Sequence, residues 1–280
     1  MARSNVNAGR TRPAGSDLLT VEVLRTERLS PGFVRVTLGG EGAAALSPMG
    51  YDQWFRLFLP VDDGTGLERL PAKLDTLSYL RYLTISRTRR PVLRNYTVRA
   101  HRVTATGPEF DVDFVVHGSV EDGTSGPAAT WAQQCRPGDP VALIDEGITF
   151  PTAAHDRVLL VADGSGLPAV AGILASLPAH TVGEAIVEIA DEADRQELSG
   201  PARVTVRWIA RGHGSHDVPG ARALAAVTDG PLPETRFTGW AVGESALATG
   251  ARRHWVKAGV PKEDITFCGY WKAAKRAATV

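Results

Sequence analysis

The chain has 280 residues, 43% of them hydrophobic and 22% charged, and its 31 Lys and Arg balance 31 Asp and Glu. That length allows two ordinary domains with sizeable cores, while the absence of a basic excess disfavours a dedicated polyanion binder, nucleic acid included. The mean hydropathy of −0.10, with no apolar run near the ~20 residues of a spanning helix, argues against a membrane span. Two cysteines, Cys135 and Cys268, are too few and too distant for a disulfide scaffold or a CxxC metal site and suit a reducing compartment. The first 16 residues are polar and basic without an apolar core, which reads as a flexible leader on a cytoplasmic protein.

From Leu18 the chain reads as short strands ended by Gly, Pro or Ser: LLTVEVLRTERL, FVRVTLGG, WFRLFLP, PVLRNYTVRAHRV, FDVDFVVHG and PVALIDEG. About six such strands, interrupted by the single helix PAATWAQQC, fit a small antiparallel barrel over 17–150. The stretch 62–90 is irregular and reads either as a long functional excursion or flap or as a poorly ordered insertion. After Pro151 the rhythm changes, with RVLLVAD, AIVEIA, VTVRWIA, FTGWAVGE and ITFCGYW alternating with helical segments. This alternation predicts an α/β domain with a parallel sheet over 151–272 and a tail at 273–280.

Three segments could hold a phosphorylated aromatic ligand. RNYT at 94–97 places Arg94 and Tyr96 on one face of a strand and Thr97 on the other, and an arginine beside an aromatic ring suits a pyrophosphate joined to a heterocycle. On these four residues alone, an ordinary barrel strand is the simpler reading. Company comes from His117 and Gly118 at a strand end and from Gly126 with PAATWA, where the exposed N–H groups of a helix start can bind phosphate. In the second half, Asp163, Gly164, Ser165 and Gly166 form a glycine-rich turn after the first α/β strand, where a nucleotide pyrophosphate settles. Gly243 and Glu244 repeat the strand-to-helix arrangement on the same sheet edge. Tight turns use glycine for packing alone, so each element carries little by itself. From Arg81 to Arg102 the chain has seven arginines and no acidic residue, either a solvated loop or an anchor for an anionic ligand built on Arg81, Arg87, Arg89 and Arg90. HExxH, GxSxG and Walker patterns are missing, which leaves redox by an organic cofactor as the surviving chemistry.

The barrel followed by an α/β domain, RNYT, HG with GPAATWA, ADGSGLPAV, WAVGES and the terminal FCGYW together resemble the siderophore-interacting protein family. These are flavin-dependent ferric-siderophore reductases of the ferredoxin-reductase-like superfamily. The resemblance runs from about Leu18 to Lys272 and implies an FAD-binding barrel and an NAD(P)H-binding α/β domain. By residue it implies Arg94 on the pyrophosphate of FAD, and Tyr96 and Thr97 near its ribityl chain and ring. His117, Gly118, Ala128, Thr130 and Trp131 fall in the segment for the FAD phosphates and adenosine. Tyr270 and Trp271 fall near the flavin where a nicotinamide enters, or in the packing of the last strand. The chain departs from the family's Asp-Glu-Thr/Ser-Ala at Gly164 and Gly166, and Lys272 stands where the family has arginine.

The expected activity is a cytoplasmic reductase that passes electrons from NAD(P)H through FAD to a ferric siderophore, with no acid–base residue required of the protein and no resident metal. A siderophore-binding protein without catalysis and a flavin reductase with another acceptor are the alternatives. Arg207 and Arg211 favour NADPH as donor, whereas Asp191, Glu192 and Asp194 favour NADH. The sequence carries no signal of oligomeric state.

Overall fold

A computed structural model describes residues 4–5, 9–15, 17–61, 66–71, 76–86, 88–153, 155–212 and 214–274. The chain forms two compact units, Thr11–Ile148 and Met1–Arg10 with Thr149–Val280.

The first unit contains β1 (Leu18–Ser30), β2 (Phe33–Gly39), β3 (Trp54–Leu59), α1 (Thr76–Thr84), β4 (Val92–Thr97), β5 (Ala100–Thr104), β6 (Gly107–Val115), α2 (Pro127–Gln134) and β7 (Pro140–Gly147). Its strands form one sheet in the order β4-β3-β7-β1-β2-β6-β5, antiparallel throughout. Among the described residues the strand count is seven, because PVLRNYTVRAHRV is two strands. Val98 N donates to Gln53 O beside β3, and Arg99 N already donates to Asp111 O of β6, so the chain changes partner between these two residues. Period-2 alternation sends Phe110, Val112 and Phe114 of β6 into a core with Val36, Leu38, Phe55, Leu57 and Leu143.

The intervening residues of β6 build a ladder of ion pairs on the other face. Asp113 accepts both arms of Arg35, Asp111 accepts Arg102 and Thr37, and Glu109 accepts Arg25 and Arg102. Two of the seven clustered arginines, Arg99 and Arg102, therefore face carboxylates of β6.

Part of the irregular stretch is helical. In α1, Tyr82 packs edge-on against Phe58 at 5.8 Å and donates its hydroxyl to Pro91 O at 2.7 Å. This cluster, with Leu70, Ala142 and Ile144, covers the face of β3 and β7 turned away from the main core. A short TLSYLRYLT helix rich in aromatic and β-branched residues gives a weak helical signal.

The second unit contains β8 (Arg157–Asp163), α3 (Leu167–Ser176), β9 (Val182–Ile189), β10 (Arg203–Ala210), α4 (Ala221–Asp229), β11 (Thr238–Glu244), α5 (Ser245–Lys257) and β12 (Ile265–Trp271). The sheet is parallel, in the order β10-β9-β8-β11-β12. Buried residues of α4 and α5, among them Ala223, Val227, Leu247 and Trp255, pack on Leu159, Val161, Ile186 and Ala241. Strand order reverses between β8 and β11, and ligands of such sheets bind outside the carboxyl ends at that point. Part of the stretch read as a leader belongs to this unit: Ser4 bridges to Cys268, and the Asn5 carboxamide bonds Ile265 O and Phe267 N. Among the described residues, no helix is long and apolar enough to cross a membrane.

Candidate functional site

The first candidate site, in the barrel unit, is built on β4, an edge strand of the sheet among the described residues. Because Val98 N donates to Gln53 O and Trp54 stands opposite Thr97, ladder alternation turns the N–H groups of Asn95 and Thr97 away from β3, off the sheet edge. Arg94 is exposed, and its guanidinium bonds to Leu93 O. Tyr96 is half-buried with its ring 4.3 Å from that of Phe114, and Phe114 lies 5.6 Å from Trp131. This stack joins β4, β6 and α2 and brings together two residues of widely separated motifs. Burial raises the pKa of the Tyr96 hydroxyl.

The loop from His117 into α2 completes this site. Gly118 has φ +70, and a Cβ there would meet Thr124 O at 2.5 Å, so glycine is needed for the loop to close. Closure is made by Ser119 N to Thr124 Oγ1 and by Thr124 N and Ser125 N to Ser119 O. The loop delivers the chain to Gly126, the N-cap of α2, which supplies no side-chain cap, and Pro127 occupies the first turn. The His117 ring flanks this point, 3.4 Å from where a Gly126 Cβ would stand. Ala128 is buried, and Thr130 and Trp131 are half-buried.

Ser125, which its sequence context did not single out, has a buried hydroxyl with no hydrogen-bond partner among the described residues. A buried hydroxyl is rarely left unpaired. An orphaned Oγ beside an uncapped helix start, with an exposed arginine and outward-facing N–H groups on a strand of the same unit, fits the phosphates and polar edge of FAD. The only signal in sequence was the serine directly before GPAATWA.

A second candidate site, in the α/β unit, lies at the strand-order reversal. Asp163 ends β8 and is 1% exposed. Its Oδ1 accepts Ser165 N at 2.9 Å and Ser165 Oγ at 2.5 Å, and its Oδ2 accepts Glu244 N at 2.7 Å and Trp271 Nε1 at 3.0 Å. Burial raises the pKa of this carboxyl, and the bonds from Ser165, Glu244 and Trp271 oppose the rise. Gly243 has φ +121, and a Cβ there would stand 2.6 Å from the Asp163 carboxylate, so glycine permits the approach. Glu244 is buried and spends its carboxylate on Ala246 N, capping α5, and on Ala273 N.

The Gly164–Gly166 turn is a 3-10 turn leading into α3. Gly166 is required by packing, since a Cβ would lie 2.5 Å from Val242 Cγ2 and 2.8 Å from Ala162 Cβ. At the end of β12, the register against β11 slips between Gly243 and Glu244, which pair with Gly269 and Trp271. The bulge leaves Tyr270 exposed and turns Trp271 inward to Asp163.

At the far strands, Arg207 is exposed within β10 and Arg211 follows it, 3.3 Å from Glu188. Glu188 is buried and caps α4 by accepting Gly220, Arg222 and Ala223 N. Asp191 and Asp194 form a reciprocal capping box on a 3-10 turn, and Glu192 pairs with Arg195.

Of the arginines expected to meet an anionic ligand, Arg89 is exposed. Arg90 lies 5.6 Å over the Tyr82 ring and donates to Leu83 O. Arg81 sits on α1 with its side chain outside the described residues, and Arg87 lies outside them entirely. Tyr79, Leu80 and Leu83 are exposed on the same helix.

An antiparallel-sheet unit followed by a parallel five-stranded sheet with helices is the two-unit fold of the ferredoxin reductases. A ferredoxin NADP+ reductase from Neisseria gonorrhoeae shares it, with TM-score 0.61 at 11% identity over 92% of this chain and 100% of that one. Residues 22–149 match the siderophore-interacting FAD-binding domain and 155–274 match the siderophore-interacting protein. A siderophore utilization protein from T. fusca superposes with TM-score 0.76 at 30% identity, covering 97% of this chain and 98% of that one. An uncharacterised Mycobacterium tuberculosis protein is 37% identical over 75% of this chain and 71% of its own length. The ferric vibriobactin reductase ViuB of Vibrio cholerae is 27% identical over 91% and 89%, and the NADPH-dependent ferric-chelate reductase of Escherichia coli is 27% identical over 90% and 91%. The chain belongs to the siderophore-interacting protein family.

Proposed function

We propose that this protein is a cytoplasmic FAD-dependent reductase that takes electrons from NAD(P)H and delivers them to iron held by a siderophore. The observation that carries the reading is the open cradle of the barrel unit, with its orphaned Ser125 hydroxyl and uncapped α2, in a chain whose relatives are named ferric reductases. Bound FAD supplies the conversion of a two-electron donor into single-electron transfer, so one NAD(P)H reduces two ferric ions.

The chain's own residues bind and orient. Arg94, the outward N–H groups of Asn95 and Thr97, Ser125 and the start of α2 hold the phosphates and polar edge of FAD, with His117, Gly118, Ala128 and Thr130 shaping the approach. Tyr96 and Trp131, locked on Phe114, present aromatic surface to it. The turn Gly164–Gly166 with Gly243 receives the donor's pyrophosphate. NADPH is the favoured donor: Asp191 and Asp194 are engaged within their own turn, while Arg207 stays exposed on the neighbouring strand. Arg89 and Arg90, with Arg81 and Arg87, attract an anionic ferric siderophore. Reduction loosens the iron because hard oxygen ligands prefer the more highly charged ion.

The test is the visible spectrum of the FAD-loaded protein under anaerobic conditions, before and after NADPH, followed by ferric siderophores added in turn. Bleaching by NADPH and recovery with ferric siderophore are expected, and Arg94→Ala should lower flavin content and turnover together. Failure to take up FAD would favour a siderophore-binding protein without catalysis. Bleaching with no recovery on any ferric siderophore would favour another acceptor.

A further inference from the structure

The two oxygens of a carboxylate offer about four acceptor sites, and those of Asp163 are all taken. Ser165 fills Oδ1 with its N–H and hydroxyl, and Glu244 N and the Trp271 indole fill Oδ2. With 1% exposure and no vacant acceptor, this side chain has nothing left to offer a ligand. Its partners come from three segments far apart in sequence: the turn after β8, the turn after β11, and the end of β12. Two further bonds close the same ring, from Ser245 Oγ to Trp271 O at 2.8 Å and from Ala273 N to Glu244 Oε1 at 3.1 Å. The β12 bulge swings Trp271 inward to meet the carboxylate, and Gly243, at φ +121, has no Cβ to crowd that carboxylate.

We propose that Asp163 is a positioning residue of the donor site: it touches no cofactor, and it sets the shape of the nicotinamide-dinucleotide crevice by tying the Gly164–Gly166 turn, the Gly243 turn and the Trp271 indole to one point. This rests on the reading of the carboxyl edge as the donor site. Trp271 acts as one wall of that crevice, and its ring is fixed through Nε1. Loss of the tether changes how NADPH is received, while the barrel-unit residues assigned to FAD, Arg94, Ser125 and the start of α2, make none of these bonds.

The experiment compares wild type with Asp163→Ala, Asp163→Asn, Trp271→Phe and the double variant Asp163→Ala/Trp271→Phe. The first readout needs no donor: the Trp271 indole N–H resonance, identified by its loss in Trp271→Phe, should be protected from solvent exchange in wild type and unprotected in Asp163→Ala. Asp163→Asn, which keeps one acceptor oxygen, should restore part of that protection. The second readout is anaerobic flavin reduction, where the half-saturating NADPH concentration should rise about tenfold in Asp163→Ala at unchanged bound FAD. The double variant should lose no more than Asp163→Ala alone, because both changes cut the same tether. An unprotected indole in wild type would overturn the proposal even if Asp163→Ala failed to fold, as would additive losses in the double variant. If wild-type flavin is not reduced by NADPH, the donor reading fails, and the indole measurement still decides whether Asp163 holds Trp271.

Discussion

Restoring at position 166 the alanine that the family pattern carries should destabilise this protein. An added Cβ would stand 2.5 Å from Val242 Cγ2 and 2.8 Å from Ala162 Cβ. Those two residues face each other across β8 and β11 and are fully buried. The Ala162 methyl is fixed to its strand and the Val242 side chain is β-branched and enclosed, so relief requires the start of α3 to lift. Overpacking of this kind costs about 1–3 kcal/mol. Residue 166 has φ −93 and ψ −7, which alanine adopts freely, so the smaller entropy of the unfolded chain returns about 0.4–1 kcal/mol. The net loss of about 1–2 kcal/mol lowers the melting midpoint of a unit this size by about 3–8 °C. Scanning calorimetry of Gly166→Ala in the FAD-bound protein reads it directly. Val242→Ala, which removes one of the two contacts, should be less damaging in the Gly166→Ala background than in wild type. An unchanged or higher midpoint, or strict additivity of the pair, would refute the packing argument and return Gly166 to the role of admitting a phosphate.

Ser125→Ala should weaken FAD binding by about tenfold while leaving the melting midpoint of the FAD-free protein unchanged, since its hydroxyl bonds nothing there and gains a charged partner in the complex; flavin fluorescence titration measures the shift. Charge reversal by Arg89→Glu should raise the KM for an anionic ferric siderophore and leave the KM for NADPH as it was, a split that steady-state kinetics with each substrate varied would reveal. Acid should destabilise the barrel unit. The hydrogen bond from Arg25, helped by Arg102 and opposed by burial, holds Glu109 at a pKa of about 2 from an ordinary 4.5, and burial at Asp111 is outweighed by the bonds from Arg102 and Thr37. A carboxylate with a depressed folded pKa contributes stability that is complete above the unfolded pKa and lost as pH falls through the folded one. The denaturation midpoint should therefore fall between about pH 5 and pH 2, and Glu109→Gln should flatten that fall.

The fold was legible where periodicity or punctuation was strong. Alternation in FDVDFVVHG marked the core face of β6, and RVLLVAD before a glycine turn marked the first parallel strand. The boundary between β4 and β5 was invisible because the switch of partner at Val98 and Arg99 is made by backbone groups with no glycine or proline to announce it. Helix α1 was hidden by its composition. At the site, the residue types of RNYT and GPAATWA were readable, but Ser125 mattered through a missing partner, which no sequence displays. Arg99 and Arg102 looked like part of a positive patch because the carboxylates that face them come from β6. Asp163 looked like a phosphate-loop residue, and its actual partners are up to 108 positions away.

The contact of Asn5 with Ile265 and Phe267 has a bearing on how the protein is made. The barrel unit is complete once residue 148 has left the ribosome, so it can fold while synthesis continues. The α/β unit is discontinuous: its first described residues precede the barrel in the chain, and the strand that receives them follows the barrel. The Asn5 carboxamide then lies along β12, the outermost strand of the parallel sheet, supplying peptide-like bonds to an edge that would otherwise invite pairing with another chain. A tag or truncation that disturbs Asn5 would thus be felt some 260 residues away, as aggregation during expression of a protein whose barrel is intact.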